Sequence, residues 1–540
     1  MTAASLMSSP RSFADDTVIK RSVDGSASIN VHPEGVFIVF EAHKAKIPVQ
    51  VRLDDIYAVF RNGSELKLES CPRLVARRWR LFGSGTHNPF QRVCQTHTLK
   101  LSAEPEATEW YSYIKGEISP VYTKPLVEGG PSRHLLVVVN PIGGKGKGEE
   151  IFHELLKPML VDCGTPYMEI ITTGPGHAEK VAKTFDPSVV GAVAIVGGDG
   201  LFGEFLNGVN ARKDREEVLR IPIGVVPAGS SNCLACSVGL RQPLAACFAI
   251  ARGRVRPLDV LKVSLAGGAV LDPDAQPRVI LSVCGVSYGF ISEVNTFAGR
   301  WRWLFGPARY TVCGFKTMMA SPMTYHVDCR FRDPDEDNPL FDQTECGPDC
   351  VLCPVHAAKM RRYSNLTSDP SVPTLPDSSY VSSLGVDSPV MSTAEPWTES
   401  VKVMEPRRRS LRPKAKTIDN SEVLLFSITN LSIRQSQNQT VWNANKHMAS
   451  GYMDLVLMPV ISRMRLLKFF KRYSKGDGRH KEDPAVFSIT KTKSVEMKLT
   501  QTEAFSSWEK AIQLAIDGET YPLQPLRVDT LHGLLNFMIS

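Results

Sequence analysis

Three short segments gather residue types suited to holding a phosphate: Asn140-Pro-Ile-Gly-Gly-Lys-Gly-Lys-Gly148, Gly197-Gly-Asp-Gly200 and Pro227-Ala-Gly-Ser-Ser-Asn232. Glycines let backbone N–H groups come close to an anion, and a helix that follows adds the positive end of its dipole. Lys145 and Lys147 bring mobile positive charge to the first segment. Taken singly, such a loop is more often a tight turn than a phosphate site. Three on one edge reverse that reading and point to Asn140, Gly143, Gly144, Lys145, Lys147, Gly197, Gly198, Gly200, Gly229 and Ser230 as nucleotide-holding residues. Asp199, set among glycines, could accept the proton of an attacking hydroxyl or organise Mg²⁺. Its simpler role is a helix N-cap, and the two roles are compatible.

A second constellation is ECGPDCVLCPVH, which spaces Cys346, Cys350, Cys353 and His356 as C-x3-C-x2-C-x2-H. Three thiolates and an imidazole so close could ligate Zn²⁺; free thiols in a reducing compartment are the alternative. Two basic stretches carry aromatic residues. LVARRWRLFG sets Arg77, Arg78 and Arg80 around Trp79, a pattern suited to an anionic lipid surface or to one face of an ordinary strand. SRMRLLKFFKRYSKG, residues 462 to 476, reads as a membrane-surface or calmodulin-binding helix, or as a structural helix of its domain.

Each phosphate-type segment needs a strand before it and a helix after it. The runs HLLVVVNP, PYMEIITT, VVGAVAIVGG and IPIGVVPAG are continuous apolar strands, and helical patterns alternate with them. That alternation predicts a parallel sheet covered on both faces over residues 132–258. Ligands of such sheets sit beyond the carboxyl ends of the strands, where the three segments fall. Residues 1–25 are polar and predicted to be disordered. Residues 26–120 read as short strands, GVFIVF to THTLKLSA, followed by the helical stretch PEATEWYSYIKGEI. A Pro- and Gly-containing linker spans residues 119 to 131. Residues 259–356 and 421–535 are β-rich. Between them, residues 357–420 are rich in Ser, Thr and Pro and predicted to be a disordered insertion.

Composition excludes several classes. The net charge of +7 is mild for 540 residues and gives no case for nucleic acid. No apolar run reaches the length of a membrane span, and no signal-peptide core or lipidation box is present. The 12 cysteines are scattered apart from the one cluster, which fits a reducing compartment. No Walker A motif and no protein-kinase motif set occur.

NPxGGKGKG, GGDGLFGEFLNG and PAGSSN, in that order, resemble the diacylglycerol kinase catalytic family, which includes sphingosine and ceramide kinases. The resemblance runs over roughly residues 132 to 530 apart from the insertion. It implies a two-lobed lipid kinase: an α/β nucleotide lobe and a C-terminal β-sandwich lobe, with ATP and Mg²⁺ in the cleft between. It makes Asp199 the general base and assigns Thr172 and Glu204 to the nucleotide. Asp517-Gly-Glu519 in IDGETY matches the family's C-terminal motif, although an isolated Asp-Gly-Glu is usually a hairpin turn. Arg302 and Arg309 match two phosphate-contacting arginines, with one extra residue between them.

Sphingosine kinases carry Asp-x-Asp at the lipid site, and here Glu293 and Asn295 stand at those positions. An ammonium wants a carboxylate partner, whereas an amide can be met by Asn, so Asn295 favours ceramide. The cysteine spacing, the segment WRWLFGPARY and the N-terminal β-rich unit, which resembles a pleckstrin-homology domain, also match the ceramide kinase branch. That branch implies ceramide in membranes as substrate, anionic phospholipid at the N-terminal domain and Ca²⁺/calmodulin regulation. It implies a cytoplasmic enzyme peripherally bound to Golgi or plasma membrane. Sphingosine or diacylglycerol as substrate, and a catalytically silent membrane adaptor, stay open as alternatives. GGDG also occurs in NAD kinases, but the long β-rich half argues against that reading.

Overall fold

The computed structural model describes residues 19–32, 35–42, 49–73, 91–101, 103–126, 130–265, 278–300, 309–320, 324–332, 346, 350, 352–353, 415–434, 443, 445–473, 486, 488–500 and 513–539. The arginine–tryptophan cluster at residues 77 to 80, Arg302, His356 and residues 357–414 lie outside the described residues. Among the described residues no helix is long and apolar enough to cross a membrane.

The N-terminal unit is a six-stranded sheet of β1 (Ile19–His32), β2 (Gly35–Ala42), β3 (Val49–Arg52), β4 (Ile56–Asn62), β5 (Glu65–Ser70) and β6 (Gln95–Lys100), in the order β3-β2-β1-β6-β5-β4. The Glu104–Ile118 helix buries Ala107, Ile114 and Ile118 against Ile56, Leu66, Leu68 and Leu99 of this sheet. The strand β1 begins at Ile19, so residues 19–25 are not the disordered tail that their polarity predicts. Backbone pairing with β2 and with β6 holds them in place of side-chain hydrophobicity. The linker is also more fixed than its Pro and Gly content predicts. Tyr122 is fully buried and donates its hydroxyl to Ile250 O at 2.9 Å.

The nucleotide-type lobe is built on β7 (His134–Val139), β8 (Tyr167–Ile171), β9 (Val190–Gly197) and β10 (Ile223–Pro227), all parallel, in the order β10-β9-β7-β8. β7, β9 and β10 are buried almost end to end, as runs covered on both faces must be. The expected helices follow the strands. The first is broken into Gly148–Ile151, a π-helical turn Phe152–Leu156, and Lys157–Cys163. Pro158 has no N–H to give to the carbonyl of Glu154, which accounts for the altered turn.

The second lobe carries β11 (Val255–Leu265), β12 (Arg278–Ser282), β13 (Gly285–Gly289), β14 (Tyr325–Arg332), β15 (Ala415–Thr429), β16 (Met453–Pro459), β17 (Ser488–Thr492), β18 (Ser494–Thr500), β19 (Gln513–Ile516), β20 (Glu519–Pro522) and β21 (Leu526–Met538). Alternating residues such as Val263, Val327, Met497 and Val528 meet in one interior cluster, so the sheet curls around its own core. On another face the helices Phe290–Arg300, Arg309–Ala320 and Arg463–Tyr473 cover Leu424, Leu425, Val456 and Met458. Two boundaries differ from the expected ones. β15 already begins at Ala415, inside the basic end of the presumed insertion, because Ala415 pairs with Arg332. β21 runs past residue 535 and pairs with β10 as well as β11, so one 15-stranded sheet passes through both lobes.

Candidate active site

The three glycine segments do stand at the carboxyl ends of β7, β9 and β10, and they touch one another through their backbones. A Cβ on Gly144 would lie 2.4 Å from Ala228 O, and one on Gly229 would lie 2.4 Å from the Gly198 Cα. Gly144 also has φ +59°, a conformation that only glycine adopts cheaply. Side-chain amides set the loop shapes. Asn140 Oδ1 accepts the N–H groups of Ile142 and Gly143 at 3.1 and 2.9 Å. Asn232, at φ 51°, accepts from Gly229 N at 2.8 Å and donates to Gly229 O at 3.0 Å.

Among the carboxylates at this end, Asp199, Glu204, Asp517 and Glu519 have different surroundings that separate their tasks. Asp199 opens the Asp199–Asn210 helix, but the N-cap is Gly198. The Asp199 carboxylate instead crosses to the next segment, accepting the Cys233 and Leu234 amides at 2.8 and 2.9 Å. These amides start the short Cys233–Ser237 helix. Burial pushes the Asp199 pKa above its ordinary 3.8, the two amides pull it back in part, and the charge of Asp517 pushes it up again. Glu204, farther along the same helix, accepts the Ala178 and Glu179 amides at 2.8 and 3.3 Å, capping the His177–Thr184 helix. Asp517 Oδ1 accepts from Ser282 Oγ, Cys284 N and Gly285 N, and Oδ2 from Val283 N, all within 2.9 Å. Its carboxylate is thus committed to the turn between β12 and β13. Glu519 is exposed, and its Oε1 lies 3.3 Å from where a Cβ on Gly200 would be, which brings the Asp-Gly-Glu and GGDG motifs together.

These groups line one end of a cavity of about 1630 Å³. Its other end is apolar, walled by Phe290, Ile291 and Val294 of one helix, Phe315 and Met318 of a second, and Leu467 and Phe470 of a third. Asn295 lines the cavity from the first of these helices. The acidic lining residues are Glu179, Asp199, Glu204, Asp517 and Glu519, and none comes from the three helices of the apolar end.

Of the predicted nucleotide residues, Asn140, Gly143, Gly144, Thr172, Gly198, Gly200, Glu204, Gly229, Ser230, Asp517 and Glu519 line this one cavity, with Asp199 among them. Four predicted residues stand apart from the lining. Gly197 is buried at the end of β9. Lys145 is exposed, and Lys147 turns to Glu150, Nζ to Oε1 2.7 Å. That i,i+3 partner was visible in the sequence. Glu293 is buried and is not among the residues that line the cavity beside Asn295. Arg309 opens the Arg309–Ala320 helix, and its side chain is outside the described set.

The basic 462–476 stretch is a helix over Arg463–Tyr473 whose Leu466 and Phe469 are buried in the lobe's own core, while Met464 and Leu467 are exposed. Two functional residues were missed. Asn207, inside the quoted GGDGLFGEFLNG, ties its helix to the second lobe: Nδ2 donates to Leu281 O at 3.0 Å and Oδ1 accepts Leu281 N at 2.8 Å. His447 is the imidazole that meets the cysteines, with Nδ1 3.2 Å from Cys350 Sγ and 3.5 Å from Cys353 Sγ.

Residues 134–263 match the family model described as the diacylglycerol kinase catalytic domain. Sphingoid long-chain bases kinase 1 of Arabidopsis thaliana is 34% identical over 36% of this chain and 25% of its own length. Sphingosine kinase B of Dictyostelium discoideum is 33% identical over 32% of this chain and 22% of its own length. Sphingosine kinase 2 of Homo sapiens is 34% identical over 33% of this chain and 27% of its own length. The chain therefore spans about a quarter of the length of these relatives. A diacylglycerol kinase crystal structure from Bacillus anthracis str. Sterne aligns with 76% of this chain and 97% of that chain at 15% identity, with a TM-score of 0.44. Residues 134–263 thus match the diacylglycerol kinase catalytic domain, and stretches of 197, 171 and 188 residues of the chain are similar to the three sphingoid-base kinases.

Proposed function

We propose that this protein is an ATP- and Mg²⁺-dependent lipid kinase that phosphorylates the primary hydroxyl of ceramide to ceramide 1-phosphate. The observation that carries this reading is the single cavity. It joins a glycine-walled end holding Asp199 to an apolar end whose cavity-facing polar side chain is the neutral Asn295. The glycine loops suit the phosphates of ATP, since glycine lets their backbones pack together, where a Cβ on Gly144 or Gly229 would strike a neighbouring loop, and lets backbone N–H groups approach an anion. When bound, Mg²⁺ neutralises phosphate charge, and Glu519 is the cavity-lining carboxylate free of the turn that occupies Asp517. Asp199, its pKa raised by burial, takes the proton of the ceramide hydroxyl. The freed oxygen forms its bond to the γ-phosphorus as the bond to ADP breaks.

An amide at the lipid head supports ceramide over sphingosine. Among the described residues of the helices at the apolar end, a protonated amine would find no cavity-lining carboxylate, and leaving it unpaired costs more than leaving an amide to Asn295. The mouth supports a bilayer substrate. Phe315 and Leu467 line the cavity yet are exposed, beside exposed Met319 and Met464 and the cationic Arg463, Arg465, Lys468, Lys471 and Arg472. Such a face fits peripheral membrane association. The six-stranded N-terminal sheet with its terminal helix supports a pleckstrin-homology-like module docking on anionic phospholipid.

Sphingosine is the second reading, favoured by the names of the relatives. The deciding assay uses purified protein, labelled ATP and Mg²⁺, with ceramide, sphingosine and diacylglycerol in mixed micelles. The expected result is labelled ceramide 1-phosphate, lost in Asp199→Asn, with sphingosine turnover gained in Asn295→Asp. Preference for sphingosine in the unaltered protein would refute the Asn295 argument while leaving the phosphotransfer site standing. Absence of any labelled lipid would favour the silent adaptor.

A further inference from the structure

We propose that Cys346, Cys350, Cys353 and His447 form a closed, structural Zn²⁺ site that pins two connections of the second lobe beside the nucleotide-type lobe. The four ligand atoms lie within 4.8 Å of one another. Cys353 Sγ is 3.7 Å from Cys346 Sγ and 3.8 Å from Cys350 Sγ. His447 Nδ1 is 3.2 Å from Cys350 Sγ and 3.5 Å from Cys353 Sγ. A tetrahedral zinc with Zn–S of about 2.3 Å and Zn–N of about 2.0 Å sets sulfurs about 3.8 Å apart and sulfur and nitrogen about 3.5 Å apart. The observed separations are those of ligands around one zinc. No disulfide accounts for them, because pairing two of the sulfurs at about 2 Å leaves the third thiol and the imidazole converging on the same point.

The surroundings fit thiolates. Three thiolates and one Zn²⁺ leave one net negative charge. The Arg256 guanidinium, hydrogen-bonded to the Cys350 carbonyl, and Lys446, next to His447, bring positive charge to it. Cys353 and His447 are almost fully buried, and four protein ligands leave no open position, which marks a structural rather than a catalytic site.

The site is placed to act on the cavity at a distance. Cys346 to Cys353 fall between β14 and β15, and His447 between β15 and β16. The neighbouring Met448 O accepts from Asp259 N at 2.8 Å. Asn430 Nδ2 bonds both Asp259 O and Val283 O, at 2.6 and 3.0 Å. Val283 N in turn meets Asp517. A metal here would tie the loops behind that turn without touching substrate. The inference is independent of which lipid is phosphorylated.

The test is metal analysis of the full chain expressed with zinc. About one zinc per chain is expected, together with the visible bands of a tetrahedral thiolate complex after Co²⁺ replacement. Cys353→Ser and His447→Ala should lose the metal, and His356→Ala should keep it. His447→Cys should also keep it, which guards against variants that merely fail to fold. Stripping the zinc with a strong chelator should lower the melting temperature. A metal-free native protein, zinc unchanged in both Cys353→Ser and His447→Ala, or loss of zinc in His356→Ala with retention in His447→Ala would each overturn the assignment.

Discussion

Asp517 and Glu519 sit two residues apart in one hairpin, and the structure gives them opposite tasks. Asp517 and Gly518 have φ of 49° and 88°, the two positive values of a type I′ turn between β19 and β20. From that turn Asp517 serves three amides and one hydroxyl of residues 282–285. Asp517→Ala leaves those donors without an acceptor. At about 1–2 kcal/mol for each of the three buried amides, with partial relief from cavity water, the loss is about 3–5 kcal/mol. At roughly 2–4 °C per kcal/mol for a domain of this size, the melting temperature falls by about 6–20 °C. Asp517→Asn suits the positive φ but places an NH₂ against one donor, so it should cost about 1–3 kcal/mol. Glu519→Gln removes no protein hydrogen bond to a buried donor and should shift stability by less than about 0.5 kcal/mol. Its effect should fall on the KM for Mg-ATP. Scanning fluorimetry of the three variants beside ATP kinetics decides the matter. A melting shift under about 2 °C for Asp517→Ala with a raised KM for ATP would show that Asp517 works on the nucleotide rather than the turn.

Asp199→Asn should lower kcat by about 10²–10⁴. Because burial raises the Asp199 pKa, its base form is lost as pH falls through a value above 3.8, and the acid limb of kcat/KM should lie above that value; a limb at or below it contradicts the assignment. Gly229→Ala drives a Cβ to 2.4 Å from Gly198 Cα and should cost about 1–3 kcal/mol in denaturant melts. Gly203→Ala, in a helix with nothing within 4 Å of the new Cβ, should instead stabilise by about 0.5–1 kcal/mol. Asn207→Ala removes both links to Leu281 and should cost about 1–3 kcal/mol, with faster hydrogen exchange at the Leu281 amide. Phe315→Asp combined with Leu467→Asp should reduce phosphorylation of ceramide in vesicles far more than it changes the KM for ATP; equal activity on vesicles would refute the proposed entry face.

What the sequence made legible was local. Buried parallel strands announce themselves as unbroken apolar runs, and the glycine segments follow them at once, so β7, β9, β10 and the converging loops could be read directly. What it hid was pairing at a distance. His447 lies 94 residues beyond Cys353, so a search of local spacing selects His356 instead. The task of Asp517 depends on donors more than 230 residues earlier in the chain. Glu204 matches a family position, but its bond to the start of another helix has no trace in its own neighbours. Likewise β1 is too polar to read as a strand until its two partners are known.

The strand β21 carries a cost in folding order. It pairs with β11 from Val255↔Met538 to Leu265↔Leu526, so about 260 residues must be made between partners that end up side by side. Until then β11 lacks this neighbour, with Leu258, Val260, Leu261 and Val263 waiting for a core that later strands supply. Contacts of such long range slow folding and prolong the exposure of sticky edges to other chains. A chain cut before Leu526 would keep every glycine loop and Asp199, yet leave β11 and β10 with open edges. Its failure would be aggregation rather than slow catalysis, and a chaperone rather than a better substrate would be the remedy.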